Sequence, residues 1–348
     1  MKLICGPMAT ISHPAFRILV ERFGGCDEYF TEMINAGTLV TGGQFEKYYI
    51  DPAPVPQKLV WQLTGKNGEL MEEAAKVLVK LPGIGIDLNM GCSAPDIYRY
   101  GAGISWMTKP REETQEMVRG VRRVVNDYEG EKKRLSVKLR LGNEDFTDEG
   151  FFSFCDMLVG EGVQLLTLHP RTKKEKLTRP PRYSYCQQLA ERYKSSTASS
   201  GQKKAVEVYL NGNVHDKASY DYALATCPDI AGIMISRAAI QAPWIFASLS
   251  TNPASSSIPA SVSLSGSTRQ SINLEQLCLD YITLIEQYQP PEFWKTRLQR
   301  FFTYFSQNFK FAHYAQTQFL NATDNNDLRT RIADFFEKCP GERFLELK

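Results

Sequence analysis

A thiol and a lysine stand in this chain where chemistry would use them. Asp87-Leu88-Asn89-Met90-Gly91-Cys92 closes a short apolar run and places a cysteine where a buried strand meets its loop. Val137-Lys138-Leu139-Arg140-Leu141-Gly142 ends another such run with two cations. Strand alternation gives Lys138 and Arg140 one face and Leu139 and Leu141 the other. Burying an unpaired ammonium costs on the order of several kcal/mol, so a lysine in an apolar strand implies a task. A thiol and a lysine at the ends of separate strands point to a redox or proton-transfer pocket.

The elements that must hold these residues recur along the chain. Strand candidates are Lys2–Met8, Glu28–Ile34, Lys58–Gly65, Gly85–Cys92, Leu135–Gly142, Val163–Arg171, Val206–Val214 and Ala231–Ala239. Amphipathic stretches separate most of them: Pro14–Phe23, Glu69–Leu81, Arg111–Asn126, Asp148–Gly162, Tyr183–Tyr193 and Lys217–Ala225, with a further helix start at Pro243–Leu249. Asn35–Gln57, with Gly-Gly and three prolines, reads as a loop. Eight strands alternating with helices predict an α/β fold, a (β/α)8 TIM barrel over residues 1–250. No strand opens into a G-x-G-x-x-G turn, so a doubly wound dinucleotide-binding sheet has no support. Lys194–Lys204 reads as a polar insertion, and residues 251–271, rich in Ser, Pro and Ala, as a linker. Helical spacing returns at Leu274–Gln289, Phe293–Phe309 and Asp327–Lys338, with an irregular stretch before the last, and predicts a small helical domain over 272–348.

Composition narrows the class. The 348 residues are 43% hydrophobic and 23% charged with a net charge of +2, so a nucleic-acid partner needs a local basic patch. No run approaches the ~20 apolar residues of a membrane helix, and the N-terminal apolar stretch is too short for a signal peptide. The eight cysteines (5, 26, 92, 155, 186, 227, 278 and 339) include no C-x-x-C, which argues against a disulfide framework, zinc or an iron–sulfur cluster. The expectation is a cytoplasmic, metal-free monomer with no membrane contact, whose thiols are mostly buried filler.

In a barrel the C-terminal strand ends build the active site. They supply Pro7 and Met8, Glu32, Gln62, Asn89 and Cys92, Lys138 and Arg140, His169 and Arg171, Asn211, then Ser236 and Arg237. Each has a bland reading: a structural cysteine, a core histidine, a strand-end amide, a helix-capping arginine. Polar groups at nearly every strand end above apolar strand bodies are not needed for folding, and their joint occurrence favours a site. Asn211-Gly212-Asn213 and Ser236-Arg237 follow the seventh and eighth strands, where barrels commonly hold a phosphate on loop N–H groups, to which Arg237 adds charge. A phosphate-bearing cofactor fits. Beside a flavin, a lysine would stabilise negative charge at the N1–O2 edge and a glutamine would bond the pyrimidine edge.

These residues resemble, in order and in rough spacing, the tRNA-dihydrouridine synthase family. The motifs are Pro7-Met8, Thr31-Glu32-Met33, Gln62-Leu63-Thr64-Gly65, Asn89-Met90-Gly91-Cys92, Val137-Lys138-Leu139-Arg140, His169-x-Arg171-Thr172, Asn211-Gly212 and Ser236-Arg237. The resemblance implies an FMN-binding (β/α)8 barrel with a helical tRNA-binding tail, which uses NADPH to reduce the C5–C6 bond of specific tRNA uridines. It puts FMN against Pro7, Met8, Ala9, Gln62, Lys138 and His169, with the phosphate on Asn211, Gly212, Asn213, Ser236 and Arg237. Cys92 matches the proton donor, and Asn89 and Arg140 would hold the flipped uracil. A free thiol, pKa about 8.5, is mostly protonated at neutral pH, as a general acid must be. The chain departs from the family in Gly91-Cys92-Ser93, where Gly-Cys-Pro is usual, in Ser236-Arg237 for Gly-Arg, and in Asn213 for a common aspartate.

Arg171, Lys173, Lys174, Lys176, Arg179 and Arg182 put six cations in twelve residues beside that pocket, against Glu175. Lys295, Arg297 and Arg300 lie on a tail helix among Phe293, Trp294, Phe301 and Phe302. A charge run is usually a solvated face, but two beside one pocket suit the backbone of a folded RNA, with Arg171, Lys173, Lys295, Arg297 and Arg300 as contacts. The rival readings are an FMN barrel dehydrogenase of a free pyrimidine, of the dihydroorotate or dihydropyrimidine type, and a tRNA-binding protein that has lost catalysis.

Overall fold

The computed structural model describes residues 1–143, 146–175, 178–194, 205–250, 262–263 and 271–347. They divide into two compact units, Met1–Pro7 with Asp27–Ser236 and Met8–Cys26 with Arg237–Lys348.

The first unit is a closed parallel barrel. Its strands are β1 (Lys2–Cys5), β2 (Glu28–Phe30), β3 (Leu59–Thr64), β4 (Gly85–Met90), β5 (Arg134–Gly142), β6 (Leu165–Thr172), β7 (Glu207–Asn211) and β8 (Gly232–Ile235). Each pairs in parallel with the next, and β8 pairs with β1, which closes the ring. A two-residue piece, Ile34–Asn35, continues β2 alongside β3. All eight expected strands form, several of them shorter than expected: Lys2–Met8 ends at Cys5, and Ala231–Ala239 ends at Ile235 because Arg237–Gln241 is a helix. One parity of each strand is almost wholly apolar and buried, as in Trp61, Leu63, Ile86, Leu88, Val137, Leu139, Leu166, Leu168, Val208 and Leu210.

Helices follow most strands with recognisable starts. Asn67 and Thr147 accept N–H bonds at the heads of Gly68–Leu78 and Asp148–Gly160, and Asp216 and Ser219 form a capping box on Lys217–Thr226. Asn35–Gln57 is not the loop expected from its glycines and prolines. Asn35 accepts from the N–H groups of Gly37 and Thr38 and starts a helix, Ala36–Thr41, that Gly42 ends in the left-handed conformation; a second short helix runs over Glu46–Tyr49.

The other parity points into the barrel and is tiered. At the N-terminal ends of the strands, Arg134 grips Glu28 through both terminal guanidinium nitrogens (2.6 and 3.0 Å), and the Tyr209 hydroxyl donates to the same carboxylate at 2.8 Å. Lys2 reaches Glu28 and Glu207. Burial alone would push Glu28 up, but the Arg134 bonds and charge, with Tyr209 and Lys2, hold it below the usual carboxylate range. Above this plug lies an apolar layer of Ile4, Phe30, Val60, Leu165 and Met234 around the Tyr209 ring. Gln62, Asp87, Asn89, Lys138, His169 and Asn211 follow at the same parity toward the C-terminal ends.

The second unit holds Pro14–Phe23, Arg237–Gln241, Ile245–Leu249 and the tail helices Leu274–Tyr288, Pro291–Phe305, Ala312–Leu320 and Asn325–Lys338. The stretch expected to be irregular contains the helix Ala312–Leu320. Its core is aromatic: Tyr281 and Phe301 lie 3.9 Å apart by ring centroid, Phe301 and Phe305 5.0 Å, Phe309 and Phe335 5.0 Å. Ser271–Asn273 pairs antiparallel with Phe344–Glu346 and with Val262–Ser263. The remainder of the expected 251–271 linker before Ser271, and most of the Lys194–Lys204 insertion, lie outside the described residues. Among the described residues no helix is long and apolar enough to cross a membrane.

Arg134→Met strands the buried Glu28 charge, and removal of one partner of a buried pair costs about 3–5 kcal/mol. Urea unfolding at pH 7.5 is expected to show that loss. Because ionised Glu28 is the form that Arg134 stabilises, the deficit shrinks as pH falls and the carboxylate is protonated in the variant.

Candidate active site

The polar tier of the barrel brings the chemistry-bearing side chains of β3, β4 and β5 together. Gln62 on β3, Asp87 and Asn89 on β4 and Ser136 on β5 are almost wholly buried, and each meets another across adjacent strands. The Gln62 amide nitrogen donates to Asp87 (2.8 Å) and the Asn89 amide nitrogen to the Gln62 oxygen (2.9 Å). The Asn89 oxygen accepts from the backbone N–H groups of Gly91 (3.2 Å) and Cys92 (3.0 Å). With that oxygen committed, Asn89 keeps one N–H for a ligand.

Cys92 sits at the end of β4, partly exposed, in a loop held from both sides: its carbonyl also accepts from the Ile104 N–H at 3.0 Å. Six of the other cysteines are buried and only Cys339 is comparably exposed. Burial pushes the Cys186 and Cys278 thiols well up, which suits inert filler. The proline that the family has after the cysteine stands at Pro95, where it opens the short helix Pro95–Tyr98 at a position that needs its φ and not its N–H.

Lys138 projects from β5 in the same tier, partly buried. Burial and then the like charge of Arg140 bring it down to about 8, against the pull of Asp87 and Cys92. Burial raises Asp87 to about 6, opposed by Gln62, Ser136, Lys138 and Arg134. Arg140 donates to the carbonyls of Gly91 (3.1 Å) and Thr172 (3.2 Å), which ties the thiol loop to the end of β6. Asp87 is the residue that sequence reasoning passed over, although a carboxylate inside the apolar run Gly85–Met90 was a signal.

The phosphate-type loops have the expected close approach. At Gly212, φ is +127° and a Cβ would lie 2.9 Å from the His169 ring, so glycine is required where backbone passes over imidazole. Asn213 follows with φ +61°. Asn211 donates to the Met234 carbonyl at 2.8 Å and the Tyr183 hydroxyl to the Gly212 carbonyl at 2.6 Å, which fixes this loop. A Cβ at Gly6 would come within 2.5 Å of the Ser236 hydroxyl, so the glycine just after β1 leaves room for the serine that replaces the family's glycine. Pro7, in this unit, is partly buried. In the second unit, Met8 is partly buried and donates its N–H to Ser12 (2.9 Å), Ala9 is exposed, and Arg237 is exposed at the head of Arg237–Gln241.

Two of the expected RNA contacts face inward. Arg171 is 3% exposed, with its guanidinium 2.8 Å from the His169 Nε2, because its strand parity points into the barrel. Arg297 is 2% exposed and stacks over Phe293 at 4.9 Å on the interior stripe of its helix. Burial, Arg297 and Arg17 keep His13 well below its usual value. Lys295 and Arg300 are exposed. Lys173 lies over the Tyr98 ring at 3.6 Å, and Arg182 is engaged by Glu175 at 2.6 Å. Lys176 lies outside the described residues.

The chain is similar in sequence to known proteins. The dihydrouridine synthase family model matches residues 3–337. A probable tRNA-dihydrouridine synthase of Aquifex aeolicus is 30% identical over 248 residues, 70% of this chain and 71% of the relative. One of Helicobacter pylori is 27% identical over 252 residues, 72% of this chain and 70% of the relative. A mouse tRNA-dihydrouridine(47) synthase [NAD(P)(+)]-like protein is 29% identical over 250 residues, 70% of this chain but 35% of the relative, so the chain spans about a third of that protein. With a matching family model over nearly its whole length, the chain belongs to the dihydrouridine synthase family.

Proposed function

We propose that the protein is a flavin enzyme that uses NADPH to reduce the C5–C6 bond of specific tRNA uridines to 5,6-dihydrouridine, with FMN as the flavin. The observation that carries this reading is the pairing of a held, partly exposed thiol at the end of β4 with a lysine of lowered pKa in the same tier of the barrel. The cradle at Gly212 and Asn213, the Lys138 ammonium and His169 fit a phosphate-bearing flavin. Bound there, the reduced flavin would supply a hydride to C6 of the uracil.

The chain's own residues supply the rest. Cys92 gives its proton to C5 as the hydride arrives at C6, and the thiolate left behind is reprotonated from solvent. Arg140 and the remaining N–H of Asn89 orient the extruded base, which leaves its stack at a cost of a few kcal/mol. Lys138 would hold positive charge beside a bound flavin and so stabilise its reduced, electron-rich form. The barrel is the catalytic domain, and the helices after residue 272 bind tRNA, with Lys295 and Arg300 on its phosphates.

Cys92→Ala is expected to keep FMN and reduction by NADPH, because neither needs the thiol, while reoxidation by unmodified tRNA falls by about 10²–10⁴-fold. Stopped-flow measurement of the two half-reactions checks this; a colourless protein, or wild-type reoxidation in the variant, removes the reading.

Lys138 is cationic below about pH 8 and neutral above it. The rate of flavin reduction should therefore fall as pH rises through about 8, and Lys138→Met should lose that limb with a rate about 10²-fold lower. A pH series of single-turnover reductions measures both.

Lys295→Ala with Arg300→Ala should weaken tRNA binding and lower the log–log salt slope by roughly 0.7–0.9 per contact, with flavin content intact. Filter binding over a salt series gives the slope.

A further inference from the structure

A file of hydrogen bonds crosses three strands and ends on the backbone of the thiol loop. Ser136 donates to one Asp87 oxygen at 2.7 Å and Gln62 to the other at 2.8 Å. Asn89 donates to Gln62 at 2.9 Å, and its own oxygen receives the N–H groups of Gly91 and Cys92. Asp87, Gln62 and Ser136 have no exposed surface, and Asn89 is 6% exposed.

The file has a direction, and a group of fixed sense stands at each end: the Asp87 carboxylate, which only accepts, and the backbone N–H groups of Gly91 and Cys92, which only donate. A side-chain amide presents a donor at one end and an acceptor at the other, and a half-turn exchanges them. An ionised carboxylate only accepts. It obliges Gln62 to turn its NH2 toward Asp87 and its oxygen toward Asn89. That oxygen in turn draws the Asn89 NH2, which leaves the Asn89 oxygen facing the two backbone N–H groups.

We propose that Asp87 is a positioning residue: its carboxylate sets the direction of the Gln62 and Asn89 amides and, through them, fixes the loop that presents the Cys92 thiol. The consequence for catalysis rests on Cys92 being the proton donor. The positioning of the loop does not. If Asp87 gains a proton or becomes an amide, it can donate, the file can run backwards, and Asn89 then turns NH2 toward the N–H groups of Gly91 and Cys92, where no bond forms. Lys138 and Arg134, both on β5, are the charges that act on Asp87, while its hydrogen-bond partners, the Gln62 amide on β3 and the Ser136 hydroxyl on β5, are neutral. With Asp87 near 6, the forward direction holds at neutral pH and fails on acidification.

The full-length holoprotein tests this in two ways. Peptide-resolved alkylation by iodoacetamide reports the loop without any substrate, and Cys339, also partly exposed, serves as the reference for general loosening. Asp87→Asn should accelerate Cys92 alkylation about tenfold, with Cys339 unchanged, as a loop hydrogen-bond anchor is lost. In stopped-flow reoxidation by tRNA the same variant should be slower by about 10²-fold, the effect of a small misplacement of a reacting group. In a Cys92→Ala background Asp87→Asn should add no further slowing, which a merely structural role would not produce. Ser136→Ala removes a bond to the ionised form but leaves the acceptor toward Gln62, and it keeps the test open if Asp87→Asn fails to fold. It should shift the acid limb of reoxidation to higher pH. An unchanged Cys92 alkylation rate in folded Asp87→Asn, additive slowing with Cys92→Ala, or an unmoved acid limb each overturns the proposal. A wild-type protein that tRNA does not reoxidise would instead overturn the proposed function, and the alkylation rates would still report on Asp87.

Discussion

Everything in the barrel depends on one geometric constraint: alternate side chains of eight parallel strands converge on a narrow interior shielded from water. In that space a polar group without a partner is costly, and apart from the Thr64 and Thr167 hydroxyls, which have none among the described residues, inward polar residues are answered by neighbours. The interior satisfies this in tiers. Glu28 is answered by Arg134 and Tyr209, Asp87 by Gln62 and Ser136, and the Gly91 and Cys92 N–H groups by Asn89. The apolar layer between them separates the charged plug at the N-terminal strand ends from the polar tier toward the C-terminal ends. The low polarity that makes these partners obligatory also brings Lys138 down and Asp87 up, so the packing requirement and the acid–base properties have one cause.

Much of this was legible in the sequence. Strand alternation alone assigned Lys138 and Arg140 to one face, and the eight strands form where apolar runs predicted them. Cys92 was distinguishable from the other cysteines because it alone ends a strand beside an asparagine and a glycine. The charged plug was not legible. Its members come from four separate strands; Lys2, Glu28, Arg134 and Glu207 each look like a solvated charge at the start of a strand, and Tyr209 like an ordinary strand aromatic. Asn35–Gln57 misled because Gly and Pro mark where chain direction changes without excluding a one- or two-turn helix between the marks, once a side chain such as Asn35 caps it.

The two misplaced arginines share a physical origin. A run of cations records sign and not direction, whereas periodicity records direction. Arg171 has the strand parity of His169 and so points inward with it. Arg297 is spaced four residues from both Phe293 and Phe301, on the stripe that a helix buries. A long guanidinium stem lets Arg297 cover aromatic surface while its charge acts on His13, so an arginine can belong to a core without contradicting its chemistry.

The plug beneath the barrel also bears on how the chain reaches its native state. Glu28 and Arg134 come from the first and middle thirds of the barrel, but Tyr209 and Glu207 arrive only with the seventh strand. A partial barrel that stops before that strand leaves the Glu28–Arg134 pair short of a buried hydroxyl donor and open to solvent on one side. Half-formed sheets thus gain little from their ionic contacts, and most of the stabilisation comes with ring closure. That concentrates stability in the longest-range contacts, where loop-closure entropy has already been met, and makes assembly of the barrel closer to all-or-none than its repeated strand–helix units would suggest.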